Sequence, residues 1–246
     1  MWAEIGFNVV YLVAVWGLVA ALARRRPAVT SHDRTVAKLV MWAFLLLAAG
    51  DTGHVGFRVL AYAVGDLELS LAISGQQIGL VGLGAMTTAF TVTLFYVTML
   101  YIWRARFQKE FGWFELSLLA AAAVRIGLML LPGNRWNSVV PPQPYSTYRN
   151  LPLMLQGLGV AYLILRDARA TRDHTFLWIG VLIPISYACY IPVIFLVQQA
   201  PPVGMLMIPK TLAYLGIGFL AYRDLYGPGT SSAPTEGGQH APQTQA

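Results

Sequence analysis

The strongest constraint on this chain is a succession of long apolar runs separated by short segments that hold most of its charge. Runs near 5–23, 36–63, 78–103, 114–132, 150–166, 175–197 and 203–222 are each long enough to cross a hydrocarbon core of about 30 Å. In lipid every backbone polar group must be satisfied within the chain, and runs of this length do so as helices rather than as barrel strands. Only 11% of the residues are charged, against about 25% in a soluble domain. The expectation is an all-α polytopic membrane protein whose residues 1–226 form one seven-helix transmembrane domain. The second run is long and should tilt or protrude; the fifth is short. Residues 227–246, which include His240, are rich in Gly, Pro, Ser, Thr and Gln. They lack the apolar residues for a core and read as a disordered cytoplasmic tail. No internal repeat stands out.

The loops set the orientation. Arg24, Arg25, Arg26, Arg34 and Lys38 follow run one, and Arg104, Arg106 and Lys109 follow run three. Arg166, Arg169 and Arg172 follow run five, and Arg223 follows run seven, so twelve of the seventeen Lys and Arg lie on one side. The positive-inside rule makes that side cytoplasmic, with the N-terminus outside and the C-terminus inside, in the inner cell membrane. The same distribution removes a nucleic-acid reading of the +6 net charge. In run one the arginines follow the apolar stretch, which reads as an uncleaved helix rather than a signal peptide. The single cysteine, Cys189, excludes an internal disulfide and reads as core packing.

The second run then breaks the pattern. Within "LLLAAGDTGHVGFRVL" it carries Asp51, His54 and Arg58, spaced to share one helical face. At 1.5 Å per residue Asp51 lies roughly 22 Å and His54 roughly 27 Å from Val36, with Arg58 near the outer interface. Arg125 is about 16 Å into run four, and Lys210 about 10 Å below the outer end of run seven. Tyr187 and Tyr190 belong to the middle-to-outer part of run six. Asn134, Arg135, Tyr148, Arg149 and Asn150 crowd the outer ends of runs four and five, and Gln76 and Gln77 cap run three. A charge at the bilayer centre costs about 2.5–3.5 kcal/mol on insertion scales. These groups should therefore face the bundle interior, and their common depth predicts a shared outward-facing pocket with loop 133–149 as rim or lid.

Asp51 is the one carboxylate well inside a run, against Arg58, Arg125, Lys210 and the arginines at 135 and 149. Either Lys210 sits there without its charge, or the pocket expects an anion, for which arginine offers a fork matched to carboxylate or phosphate. The sharper expectation is a site that binds or transports an anionic small molecule or lipid headgroup, with Asp51 and His54 handling protons, since imidazole titrates near neutral pH. Membrane lipids are the other expected partners. Three alternatives stand beside it. Asp51 could pair with Arg125 or Lys210 as a structural lock, while the outer arginines snorkel to phosphates. Asp51 and His54 could form the acid/base pair of an enzyme acting on a lipid. The chain could be a sensor whose inner loops contact a partner.

Other chemistries lack parts. A metal site needs three or four ligands; Asp51 and His54 give two, and His32 and His174 lie at the other border, so neither a metal site nor a resident cofactor is expected. No G-x-S-x-G elbow accompanies Thr87, Thr88, Thr91 or Ser186, whose hydroxyls read as interhelical hydrogen-bond donors. Gly50, Gly53 and Gly56 read as close-approach positions, and Pro184, Pro192 and Pro209 as kinks or hinges.

Two resemblances bear on this. The set D-x-x-H-x-x-x-R (Asp51, His54, Arg58), "RIGLMLLPGNRW" (Arg125 to Trp136) and "YRNLP" (Tyr148 to Pro152) resembles a family of uncharacterised bacterial multi-pass membrane proteins over residues 35–223. That likeness implies no activity. "SYACYIPVIFLV" and "MIPKTLAYLGIGFLAYRD" resemble the last two helices of microbial rhodopsins, which would make Lys210 a retinal Schiff-base lysine. Run three lacks the embedded acid of that family, and no Asp precedes Lys210 by one turn.

Overall fold

A computed structural model describes residues 2–73, 75–138 and 141–226. Its seven α-helices among the described residues are α1 (Trp2–Arg25), α2 (Arg34–Val64), α3 (Leu80–Phe107), α4 (Trp113–Met129), α5 (Tyr145–Thr171), α6 (His174–Leu196) and α7 (Met207–Tyr226). Six of them, all but α4, are long and apolar enough to cross a membrane. The 227–246 tail lies outside the described residues.

Three expectations need correction. The fifth run is not short: α5 has 27 residues. Its polar start, Tyr145 to Asn150, reads as interface in sequence, yet Arg149 and Asn150 are buried in the bundle and the helix runs through them. The segment before α3 is not simply a cap. It is an antiparallel hairpin of β1 (Ser70–Ile73) and β2 (Gln76–Gly79), turned by Gly75 at a φ of 79° that disfavours a side chain. Pro209 does not interrupt α7, because it is the third residue of that helix, within the first turn where a missing N–H costs nothing. Pro184 and Pro192 do lie inside α6, and Pro152, which drew no attention in sequence, lies inside α5.

The helix ends have local causes. α2 stops where Gly65 enters the left-handed region, its N–H reaching back to the Ala61 and Tyr62 carbonyls. α6 starts at Asp173, whose carboxylate accepts the Phe176 N–H at 3.0 Å. Small residues let α2 and α3 close on each other. A Cβ on Gly50 or Gly53 would strike Thr91 or Thr87, and one on Gly84 would meet the backbone of Gly53 and His54. Across this seam the Thr88 hydroxyl donates to the Gly50 carbonyl at 2.9 Å. Gly56 has open space beside it instead, so it serves no close approach. Below the seam, Phe44, Tyr96 and Tyr214 pack edge-on around Phe95, anchoring α2, α3 and α7 in one core.

The two ends of the bundle differ. At the end bearing the loop arginines, Arg106 of α3 meets Asp173 at 2.9 Å, Asp224 at 3.1 Å and Asp33 at 3.4 Å. One guanidinium thereby ties the entry to α2, the cap of α6 and the last turn of α7. Nearby, Asp167 accepts the Trp103 indole N–H at 2.8 Å and pairs with Arg166 and Lys109.

Candidate functional site

At the other end all seven helices line a cavity of about 760 Å³, within the range of small-molecule sites. It gathers Asp51, His54 and Arg58 from α2, Arg125 from α4, Arg149 and Asn150 from α5, Tyr187 and Tyr190 from α6, and Lys210 from α7. The helical spacing of the α2 residues and their depth relative to the other helices do place them together. Asn134, Arg135 and Tyr148 do not line it. Arg135 and Tyr148 are exposed, and Tyr148 packs edge-on against Tyr145. Gln77 is exposed on the hairpin, where it accepts from the Ser70 hydroxyl.

Arg125 is 2% exposed. Its Nε donates to the Arg149 carbonyl at 2.9 Å, and Nη1 donates to the Ala89 carbonyl at 3.1 Å and to the Thr93 hydroxyl at 2.6 Å. Every acceptor is neutral, so the guanidinium is oriented but its charge is not cancelled. Pro152 helps to present this acceptor. It has no N–H for the Tyr148 carbonyl, which loosens the helix beside the Arg149 carbonyl.

Arg149 does not snorkel outward; it is buried. Its Nη1 donates to Asn134 Oδ1 at 3.0 Å, and its guanidinium lies 4.5 Å from the centre of the Trp136 ring. Asn134 in turn donates to the Leu128 and Leu131 carbonyls, closing the end of α4, and Trp136 donates to the Met129 carbonyl. The "NRW" segment is thus a bracket that positions Arg149, rather than a wall of the cavity. Asn150 accepts from the Tyr190 hydroxyl at 3.2 Å, and Tyr187 donates to the Leu153 carbonyl at 2.8 Å.

Lys210 places its ammonium 4.3 Å from the Tyr190 ring centre and 5.8 Å from that of Tyr214, a cation–π arrangement that holds the side chain against the two rings. Asp51 accepts the Tyr11 hydroxyl at 2.6 Å. Among the described residues it makes no direct ion-pair contact with Arg125 or Lys210, and its link to Lys210 is a through-space attraction. His54 does not pair with Asp51 either: its buried Nδ1 has no hydrogen-bond partner. No group of three His, Cys, Asp or Glu able to hold a metal occurs among the described residues.

Sequence reasoning missed Tyr11, Thr93, Trp136 and Tyr214. Tyr214 follows Lys210 by one turn, and that spacing could have found it. Thr93 is one of a run of threonines whose other members drew the attention, and nothing in the sequence marks Tyr11 as the partner of Asp51. Comparison of the chain with protein-family models, with curated proteins and with solved structures gives no match.

Proposed function

We propose that this is a seven-span membrane protein whose cavity binds, and in a transport cycle moves, an anionic small molecule or lipid headgroup. With α4 at 17 residues, about 25 Å long, the bundle reaches seven spans. The arginine-rich end faces the cytoplasm by the positive-inside rule, and the cavity faces outward. The observation that carries the reading is the charge count at the cavity. Arg125, Arg149 and Lys210 line it from three helices, and Asp51, the one carboxylate among the described lining residues, is held by Tyr11. An anion completes such a site. It meets guanidinium groups pre-oriented by neutral acceptors and an ammonium on aromatic faces, in a surround where charge–charge attraction is stronger than in water.

The lipid-enzyme alternative needs an oriented acid/base pair, and Asp51 and His54 are not joined, so binding is the better supported reading. The motif set that includes D-x-x-H-x-x-x-R, NRW and YRNxP is then the signature of one site and its bracket. The test is equilibrium binding of inorganic phosphate and of alkyl phosphates to the purified protein in zwitterionic nanodiscs. Arg125→Ala and Lys210→Ala should each weaken binding by on the order of 100-fold, the loss expected for a desolvated charge-assisted contact. Unchanged affinity in both would reject the anion role.

A further inference from the structure

Two parts of the cavity's lining differ in chemistry. Toward the aqueous end the cavity is bridged. Gln198 donates to the Pro141 carbonyl at 2.7 Å and Gln143 to the Ile194 carbonyl at 3.4 Å, so the segment before α5 is strapped to the end of α6, and all four residues line the cavity.

The other part lies between α1 and α7, at their seam. These helices are tight in their inner halves. A Cβ on Gly218 would strike Leu18 and Phe44, Arg25 donates to the Tyr226 carbonyl, and its guanidinium lies over Tyr222. In their outer halves residues of both helices line the cavity instead: Phe7, Asn8 and Tyr11 on α1, Ile208 and Thr211 on α7. Met205, just before α7, lines the cavity and is still 70% exposed, so the cavity reaches the molecular surface there. The neighbouring outer face of α1 is apolar and exposed at Val9, Val10 and Val13. Phe7, Ile208 and Met205 thus give this part of the cavity apolar wall, beside Asn8 and Thr211 and next to an apolar exposed face of α1, on the same cavity as the buried cations.

Resting on the anion-binding reading above, we propose that the ligand is an anionic amphiphile taken from the bilayer. Its acidic group sits at Arg125, Arg149 and Lys210, and its alkyl chain leaves between α1 and α7. A soluble anion would use only the polar part of the site and leave the apolar wall of the seam without an occupant.

The experiment compares short and long members of two headgroup classes, methyl phosphate with dodecyl phosphate and acetate with dodecanoate. They are bound to the full chain in phosphatidylcholine nanodiscs, with empty discs as the background. In one class or both, the twelve-carbon ligand should bind at least tenfold more tightly than the short one, since burying two or three methylenes already gives about that factor. Ile208→Trp, and Phe7→Trp from the opposite side, fill the seam and should erase the chain-length advantage while the short ligand still binds. That retained binding reports a folded site. Equal affinity for short and long ligands in both classes, or loss of short and long ligand alike in both variants, overturns the amphiphile proposal. It leaves anion binding standing if Arg125→Ala still abolishes binding of the short ligand by the wild-type site. No binding of any of the four ligands above background removes both.

Discussion

At the end bearing the loop arginines Arg106 meets three aspartates, whereas around the cavity Arg125, Arg149 and Lys210 face, among the described lining residues, one carboxylate that is itself held by a tyrosine. Both regions join several helices through charged side chains. In the first, charges cancel on one another across the entry to α2 and the ends of α3, α6 and α7, and the result is a clasp. In the second, backbone carbonyls, a threonine, an asparagine and aromatic rings fix Arg125, Arg149 and Lys210 in place through neutral contacts. Charge that is oriented by neutral groups, in a place where it is costly to keep, is the contrast on which the proposed ligand site rests.

Substitutions can break that contrast from either side. Arg106→Ala should have the largest effect on stability, because it leaves Asp33, Asp173 and Asp224 facing one another. Removing one partner of a buried pair costs about 3–5 kcal/mol, and with these side chains still partly exposed we expect about 2 kcal/mol. The loss would be read in a denaturant titration in mild detergent, with phosphate affinity unchanged. If binding fell with it, the two regions would not be separable. Asp51→Asn removes the one negative charge at the cavity and should tighten anion binding by about tenfold, the order expected from one nearby unit charge at an intermediate dielectric; weaker binding would make Asp51 a partner of the ligand rather than its competitor. Trp136→Leu takes the ring from beneath Arg149 and should cost about 1 kcal/mol of stability, with a loss of affinity of several-fold. Thr88→Val, which deletes one hydroxyl bond between α2 and α3, should cost about 0.6 kcal/mol and leave binding as it is, a baseline for the other three.

Much of the site was legible because helical periodicity and depth are arithmetic on the sequence. The spacing of Asp51, His54 and Arg58 put them on one face, and the rise per residue put Arg125 and Lys210 at their level. Partner choice was not legible. Asp51 had two cations within plausible reach and took the hydroxyl of Tyr11, because that partner depends on how α1 packs against α2. Asn134 looked like a site residue and is a bracket, since its side chain is spent on the carbonyls that end α4 and on Arg149. The clasp at Arg106 was hidden for the opposite reason. Its charges lie in loops and helix ends, where sequence offers orientation as a sufficient account. The long α5 was misjudged because buried polar residues at a helix start look the same in sequence as residues at an interface.

The most direct test of the account is the position of a heavy-atom anion in the folded protein. Crystals grown without competing phosphate or sulfate and soaked in tungstate should show an anomalous peak in the cavity, within hydrogen-bonding distance of Arg125, Arg149 or Lys210. The peak should be lost in Arg125→Ala and kept in Arg106→Ala. A peak only among the exposed arginines at the far end, with none in the cavity, would contradict the claim that its cations are held in place for an anion.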